Sequence, residues 1–140
     1  MAFKTNHQFY LDYSVEVLKA TSFMVLCNHV QDVHNLGSIT RCAAAFGAKL
    51  IIHEDNKSAS VTDAVVKSSA GCAFKVKFMK VPDLKGVLNS LIKRNYSIVG
   101  LDVGDDSQSL FDWKPEFPLA LVLGSEGDGM GPEIQSLCSK

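Results

Sequence analysis

Five short runs of apolar and β-branched residues, each of strand length, constrain the fold of this chain most strongly. They cover residues 23–27, 50–52, 74–78, 97–101 and 119–123. Helical patterns lie between them, and strands that alternate with helices are typical of a mostly parallel sheet with helices on both faces. At 140 residues the chain is predicted to form one α/β domain over residues 1–140, in which residues 1–20 are a short N-terminal extension.

The helices are predicted from the spacing of their apolar residues. The clearest one spans residues 83–94, where apolar side chains recur at the i, i+3, i+4, i+7 spacing of one helix face and Asp83 supplies an N-cap. Residues 35–46 and 58–69 show similar patterns, residues 14–19 form a shorter candidate, and a further helix follows the last strand. These helices would connect parallel strands by crossing over the faces of the sheet.

Composition limits the class of protein and its location. Hydrophobic residues make up 46% of the chain and charged residues 21%, which is typical of an ordinary globular protein. No apolar run approaches the roughly 18 residues that cross a bilayer, and the N-terminus lacks the apolar core of a signal peptide, so a cytoplasmic location without membrane contact is predicted.

The net charge of the chain does not decide whether its partner is a nucleic acid. The net charge of −1 neither requires nor excludes RNA or DNA, so any such surface must be local. Scattered basic residues are usually part of a soluble surface, but they are also the candidates for phosphate contacts: Lys67, Lys75, Lys77, Lys80, Lys93 and Arg94.

The cysteines and histidines do not predict a metal site. Four cysteines stand far apart in or beside apolar segments, where a reduced thiol behaves as a small hydrophobe, so we interpret them as core residues: Cys27, Cys42, Cys72 and Cys138. The histidines lack the short, clustered spacing of zinc ligands. No metal is expected.

A glycine-rich loop with one carboxylate follows the last apolar run. Residues 124–129 read Gly-Ser-Glu-Gly-Asp-Gly, a spacing that matches neither the dinucleotide fingerprint nor the Walker loop. The carboxylate of Glu126 would repel a phosphate, whereas it would suit a cation or a hydroxyl donor. An ordinary turn between a strand and a helix is an equally good interpretation of these residues alone.

A second polar pair stands at the start of the first long helix. Helical side chains lean toward the N-terminus, so Asn35 and Arg41 are expected to approach the carboxyl edge of the sheet, where the glycine loop also lies. The alternative makes Asn35 an N-cap and Arg41 a solvated residue.

Asp102, which directly follows the fourth apolar run, could bind a ribose, although strand-end aspartates are more often turn residues.

These residues carry a resemblance to a known family. Asn35-x5-Arg41 followed by Ala-Ala-Phe-Gly at 44–47, Lys-Ser-Ser-Ala-Gly at 67–71, residues 96–101 and the loop at 121–130 together resemble the SpoU (TrmH-type) RNA 2′-O-ribose methyltransferases of the SPOUT superfamily. The resemblance runs from about Phe23 to the last residue. It implies methyl transfer from S-adenosylmethionine to a ribose 2′-hydroxyl of tRNA or rRNA, by a homodimeric α/β domain with a knotted C-terminal segment.

The resemblance also implies roles for individual residues. Arg41 would activate the 2′-hydroxyl, Asn35 would support it and Glu126 would order the site. The cofactor wall would comprise Gly100, Leu101, Gly124, Ser125 and Gly129, although the family often has Asn at the position of Ser125. Because an arginine with a pKa above about 12 is a poor proton acceptor, we expect Arg41 to orient the ribose and stabilise the developing alkoxide.

The chain departs from the family after the glycine loop. The family continues into a third motif, whereas this sequence stops at Lys140, so a truncated SPOUT-like (α/β knot) domain with an incomplete knot is expected, with weak or no cofactor binding. Dimerisation would need that missing segment. Two other interpretations remain open: a non-catalytic RNA-binding or interaction domain that keeps the fold, and a doubly wound nucleotide or flavin module, although a phosphate loop is lacking.

Overall fold

The computed structural model describes residues 8–55, 58–101, 109, 112–125 and 129–138. The strands are β1 Tyr10–Leu11, β2 Phe23–Cys27, β3 Leu50–Glu54, β4 Lys77–Val81, β5 Ser97–Leu101 and β6 Leu119–Leu123. The helices are α1 Val15–Ala20, α2 Val33–Ala45, α3 Asp63–Ser68, α4 Leu84–Lys93 and α5 Pro132–Leu137, and a 3₁₀ turn spans Cys72–Phe74. Within the described ranges, no helix is both long and apolar enough to cross a membrane.

The strands form one sheet in the order β1-β4-β3-β2-β6-β5. All of the pairings between these strands are parallel, which confirms the predicted sheet type. Because β2 and β6 are neighbours at the centre, the loops that follow them emerge side by side at the carboxyl edge. In open parallel sheets that edge is where ligands bind.

Helices cover both faces of the sheet, as predicted. One face packs side chains of β2, β3 and β6 against α1, α4 and α5, in a core that includes Leu18, Met24, Leu50, Leu88, Val122 and Ile134. The other face packs against α2, α3 and the 3₁₀ turn, in a core that includes Val25, Leu36, Ile51, Val65, Ala73 and Phe78. The central strands are therefore buried on both sides, which accounts for their continuous apolar sequences.

Two predicted elements differ most from the structure. The apolar run at 74–78 predicts a strand, but β4 begins only at Lys77 because the left-handed backbone of Gly71, at φ +80°, leads into the 3₁₀ turn. The helix predicted at 58–69 starts later, at Asp63. The strand β1 is not predicted by the sequence pattern, since only two of its residues pair with β4.

The cysteines divide between core and surface. Cys27 is fully buried in β2, and burial raises the pKa of its thiol to about 12. Cys72 and Cys138 are partly buried. The prediction of a core position is wrong for Cys42, which is exposed because it lies on the outer side of α2.

A glycine sets the distance between α2 and α3. A Cβ on Gly37 would lie 1.9 Å from Ser68 Oγ and 2.9 Å from the Ser68 carbonyl carbon, so a side chain would meet backbone as well as a hydroxyl. Ser68 Oγ in turn donates to the Val33 carbonyl at 3.2 Å. The Ser68 side chain therefore packs directly against the backbone of α2 at this point.

We expect Gly37→Ala to lower the free energy of unfolding by about 1–3 kcal/mol, as overpacking does in other cores. Gly86→Ala is the matched control, because Gly86 also lies inside a helix but an added Cβ there would have nothing within 4 Å. The control should be neutral or stabilising by about 0.5–1 kcal/mol. Urea unfolding of both variants measures the difference, and equal midpoints would show that the helices can separate at no cost.

A buried histidine attaches β1 to the sheet. His53, only 2% exposed, holds Nδ1 2.9 Å from the Glu54 carbonyl, which can only accept, so Nδ1 carries the proton. Its Nε2 then accepts from the Tyr10 hydroxyl at 2.7 Å, and the Val61 N–H donates to the same hydroxyl oxygen at 2.9 Å. Burial lowers the pKa of His53, and the charge of Lys80 lowers it further, although Asp55 and the bond to Glu54 oppose the shift.

We expect this contact to weaken in acid. Because the pKa of His53 is lower in the folded protein than its ordinary value of 6.5, the unfolded chain takes up the proton first as pH falls. The contribution of His53 is complete above about pH 6.5 and declines below it, by up to about 1.4 kcal/mol per pH unit for one proton. Urea unfolding at pH 7.5 and 5 should show a smaller loss for His53→Gln than for the wild type; equal losses would contradict the assignment.

Candidate active site

A cavity of about 480 Å³ opens at the carboxyl edge of the sheet, on the α2 face. Its lining comes from the loop after β2 (residues 29–32), from Asn35, Ser38 and Ile39 of α2, and from residues 123–125 after β6. Small-molecule sites usually measure about 300–1,000 Å³, so the cavity is of ligand size. Asp32 is the one acidic lining residue and no Lys or Arg lines the cavity, so the walls that the structure describes favour a cationic or neutral ligand over a phosphate.

The beginning of α2 directs Asn35 to this cavity. The N-cap is Asp32, whose carboxylate accepts from the His34 N–H at 2.7 Å. The interpretation of Asn35 as the N-cap is therefore wrong, because the helix starts earlier than its apolar pattern suggests. Asn35 instead lies within the first turn of the helix, and it lines the cavity together with Gly124 and Ser125.

The two described ends of the glycine loop are bonded to each other. Ser125 and Gly129 exchange two backbone hydrogen bonds, of 3.2 and 2.9 Å. A Cβ on Gly124 would lie 2.2 Å from the Gly129 carbonyl carbon and 2.3 Å from Met130 N, and Gly129 itself has φ +65°. Position 124 thus requires glycine because of its close backbone contacts, and position 129 favours glycine because of its left-handed backbone. Glu126, between them, lies outside the described residues.

A buried polar network joins the strand ends behind the cavity. Asn28 Nδ2 donates to Glu54 Oε1 at 2.6 Å, and Asn28 Oδ1 accepts from the Gly131 N–H at 2.9 Å. His29, with a left-handed backbone at φ +58°, places Nε2 3.6 Å from the same Glu54 oxygen. The network links the ends of β2 and β3 to the start of α5, and so fixes the segment that leaves the glycine loop.

The predicted site residues do not all lie at the same place in the structure. Asn35, Gly124 and Ser125 line one cavity, and Gly129 is bonded to Ser125. Arg41 is exposed on α2 and does not line the cavity, since it lies about 9 Å along the helix from Asn35 and about 120° around it.

The two predicted cofactor contacts of β5 do not line the cavity: Gly100 lies on the α5 face of the sheet, and Leu101 alternates to the α2 face, where it pairs with Leu123. A Cβ on Gly100 would lie 2.7 Å from Met130 Cε and 3.0 Å from Cys138 Sγ, so Gly100 packs beneath α5. Leu101 is exposed at the end of β5. Because Met130 directly follows the glycine loop, Gly100 still contacts the segment that leaves the loop. Asp102 lies outside the described residues.

Sequence reasoning missed Asn28 and Glu54. Each is a polar residue at the end of an apolar strand run, which was the available signal. Their pairing could not be foreseen, because it joins segments that come together only in the folded sheet.

Comparison with known proteins identifies relatives of the same fold. The chain is 36% identical over 120 residues to the 23S rRNA (guanosine-2′-O-)-methyltransferase RlmB of Xanthomonas campestris, covering 86% of this chain and 48% of the relative. It superposes on the SpoU methyltransferase AviRb from Streptomyces viridochromogenes, solved in complex with AdoMet, with a TM-score of 0.73 and 30% identity, covering 83% and 47% of the two chains. The TrmH/SpoU tRNA modifying enzyme of A. aeolicus shares the fold, with a TM-score of 0.74, 24% identity and coverage of 84% and 59%.

The family model of the SpoU rRNA methylases matches residues 22–140. The chain spans less than half of the length of the Xanthomonas relative and of AviRb. The match includes every element from β2 to α5, and with them the cavity and the glycine loop. The chain therefore belongs to the SpoU rRNA methylase family.

Proposed function

We propose that the protein transfers a methyl group from S-adenosylmethionine to a ribose 2′-hydroxyl of tRNA or rRNA. The observation that carries the proposal is the cavity that Asn35 lines together with Gly124 and Ser125 of the glycine loop. Two relatives support it: the Xanthomonas protein is named for methylation of a guanosine 2′-oxygen in 23S rRNA, and AviRb was solved with AdoMet.

The described residues fit a sulfonium cofactor. The cavity is of ligand size, the one acidic residue in its described lining is Asp32, and Gly124 and Ser125 of the loop form part of its wall. When bound, S-adenosylmethionine supplies an electrophilic methyl group. Leu101, which pairs with Leu123 of the lining, would extend the wall from the end of β5, and Gly100 would act indirectly by packing against Met130 at the exit of the loop.

The chain's own side chains would orient the ribose and stabilise charge. The carboxamide oxygen of Asn35 can accept a hydrogen bond from the 2′-hydroxyl. That bond would orient a lone pair of the ribose 2′-oxygen toward the methyl group. A guanidinium is a poor proton acceptor, so the role of Arg41 would be to bind the neighbouring RNA phosphate and stabilise negative charge on the 2′-oxygen while the hydroxyl proton passes to that phosphate. Glu126 would order the site from the loop.

Transfer of a tritium-labelled methyl group to unmodified tRNA and rRNA tests the proposal. Methylation of a 2′-oxygen removes the nucleophile for alkaline cleavage of the adjacent phosphodiester, so the label should appear in alkali-resistant dinucleotides. Label in mononucleotides would mean methylation of a base and would overturn the ribose assignment. RNA binding without any transfer of label would favour the non-catalytic RNA-binding alternative.

A further inference from the structure

A second surface, at the amino edge of the sheet, combines exposed aromatic rings with lysines. We call it the amino-edge patch, and define it by Phe46, Lys49, Phe74, Lys75 and Lys77. Phe46 is 79% exposed and Phe74 is 46% exposed, and all of the lysines are exposed. The patch lies at the end of the sheet opposite to the cavity.

Two short segments bring these side chains together. The Lys77 N–H donates to the Lys49 carbonyl at 3.0 Å, so residues 46–49 and 74–77 run beside each other. Phe46 caps the C-terminus of α2, and the 3₁₀ turn that ends at Phe74 packs against the same helix. The Phe74 ring is held by Phe9, with centroids 5.4 Å apart.

The patch carries a single sign of charge. No Asp or Glu occurs within residues 44–50 or 72–79, whereas three lysines do. A twofold contact between two copies of the patch would set lysines against lysines, which repel each other. The charge therefore favours an anionic partner over a second copy of this chain.

Aromatic rings beside lysines match unpaired nucleic acid. Bases of a single strand stack on aromatic side chains while basic residues follow the phosphates. Bases within a duplex are already stacked on each other and cannot reach such rings. We propose that the amino-edge patch binds an unpaired segment of RNA, with bases on Phe46 and Phe74 and phosphates on Lys49, Lys75 and Lys77.

This surface is separate from the site of methyl transfer. Strands of five residues extend roughly 16 Å, so the patch and the cavity lie at least about that far apart. The patch would contact RNA several nucleotides from the reactive ribose. The choice of RNA as the nucleic acid rests on the proposed function, whereas the binding itself needs neither cofactor nor Arg41.

Fluorescence anisotropy with a labelled 12-nucleotide oligouridine and a duplex of the same length, without S-adenosylmethionine, tests the inference. The protein should prefer the single strand, and Phe46→Ala should weaken its binding at least roughly fivefold, because stacking of one base is lost. Phe74→Leu, which retains apolar contact with Phe9, should weaken it similarly. Lys49→Gln with Lys77→Gln should make the dependence of log affinity on log salt less steep by roughly 1.4.

Matched controls use residues on the opposite face of the sheet. Ile92→Ala removes another exposed apolar side chain, and Lys19→Gln with Lys85→Gln removes two exposed lysines of α1 and α4. Wild-type affinity of Phe46→Ala, an equal loss in the controls, or no binding of the single strand would overturn the inference. So would a change of oligomeric state in Phe46→Ala with RNA affinity unchanged.

The two proposals fail in different ways. If methyl transfer is absent but the patch variants weaken binding of the single strand, the patch stands and the proposed reaction falls. If labelled methyl transfer proceeds but Phe46→Ala binds the single strand like the wild type, the reverse holds.

Discussion

Arg41→Ala should lower kcat for methyl transfer by roughly 10²–10³-fold, the usual cost of removing a group that stabilises charge in a transition state. Arg41 is exposed on α2 and is not part of the cavity wall, so the affinity for S-adenosylmethionine should stay unchanged. Helical side chains lean toward the N-terminus, which directs the guanidinium toward the edge of the sheet that carries the cavity. Single-turnover transfer of labelled methyl to RNA, together with calorimetric titration of the cofactor, separates the two effects.

Arg41→Lys distinguishes charge from geometry. It keeps the positive charge but loses the planar fork that binds a phosphate or a ribose oxygen in a bidentate manner, so an intermediate rate is expected. Cys42→Ser, at the exposed neighbouring position, should behave like the wild type. Loss of cofactor binding in Arg41→Ala would contradict the proposed role, because it would place the side chain against the methyl donor.

Gly124→Ala should abolish binding of S-adenosylmethionine and lower the free energy of unfolding by about 1–3 kcal/mol. The new Cβ would lie 2.2 Å from the Gly129 carbonyl carbon and 2.5 Å from its oxygen, and neither can move without opening the bridge between Ser125 and Gly129. The loop would then lose the shape that forms one wall of the cavity. Calorimetry and urea unfolding report the two consequences independently.

Gly131→Ala provides the comparison for this loop. Gly131 has φ −63° and ψ 151°, an ordinary extended conformation, and an added Cβ would have Asn28 Oδ1 as its nearest neighbour at 3.7 Å. Alanine should therefore be tolerated there with little change in stability or binding. If Gly124→Ala bound the cofactor with wild-type affinity, the glycine loop would not be its wall.

The parts of the fold that were predictable depend on local sequence. The strands β2, β5 and β6 begin and end where the predicted runs do. For the central strands β2 and β6 the reason is burial on both faces, which requires apolar residues along the whole strand. The pattern failed at residues 74–76, because Ala73 and Val76 enter the core from a 3₁₀ turn and the residues just after it, not from a strand, while Phe74 stays exposed. It also failed for β1, whose two residues are held by β4 and by the contact between Tyr10 and His53.

The candidate site was predictable only in part, because some of its contacts join residues that are far apart in the sequence. Asn35 and the glycine loop stand at element ends, and the ends of neighbouring parallel strands must meet, so their approach follows from topology. The network of Asn28 and Glu54 depends on side chains 26 positions apart, and its bond to Gly131 spans 103 positions. No local pattern encodes such partners.

The place of β6 in the sheet has a consequence for how the protein is made. β6 lies between β2 and β5, and β5 joins the sheet through β6. On the ribosome, β2 and β5 are synthesised long before residues 119–123 emerge from the exit tunnel, so both wait with an unpaired edge and an uncovered apolar face. Such edges attract strands of other nascent chains. Rapid synthesis of residues 119–123, or shielding by a chaperone until they emerge, is therefore expected to determine how much correctly folded protein a cell obtains.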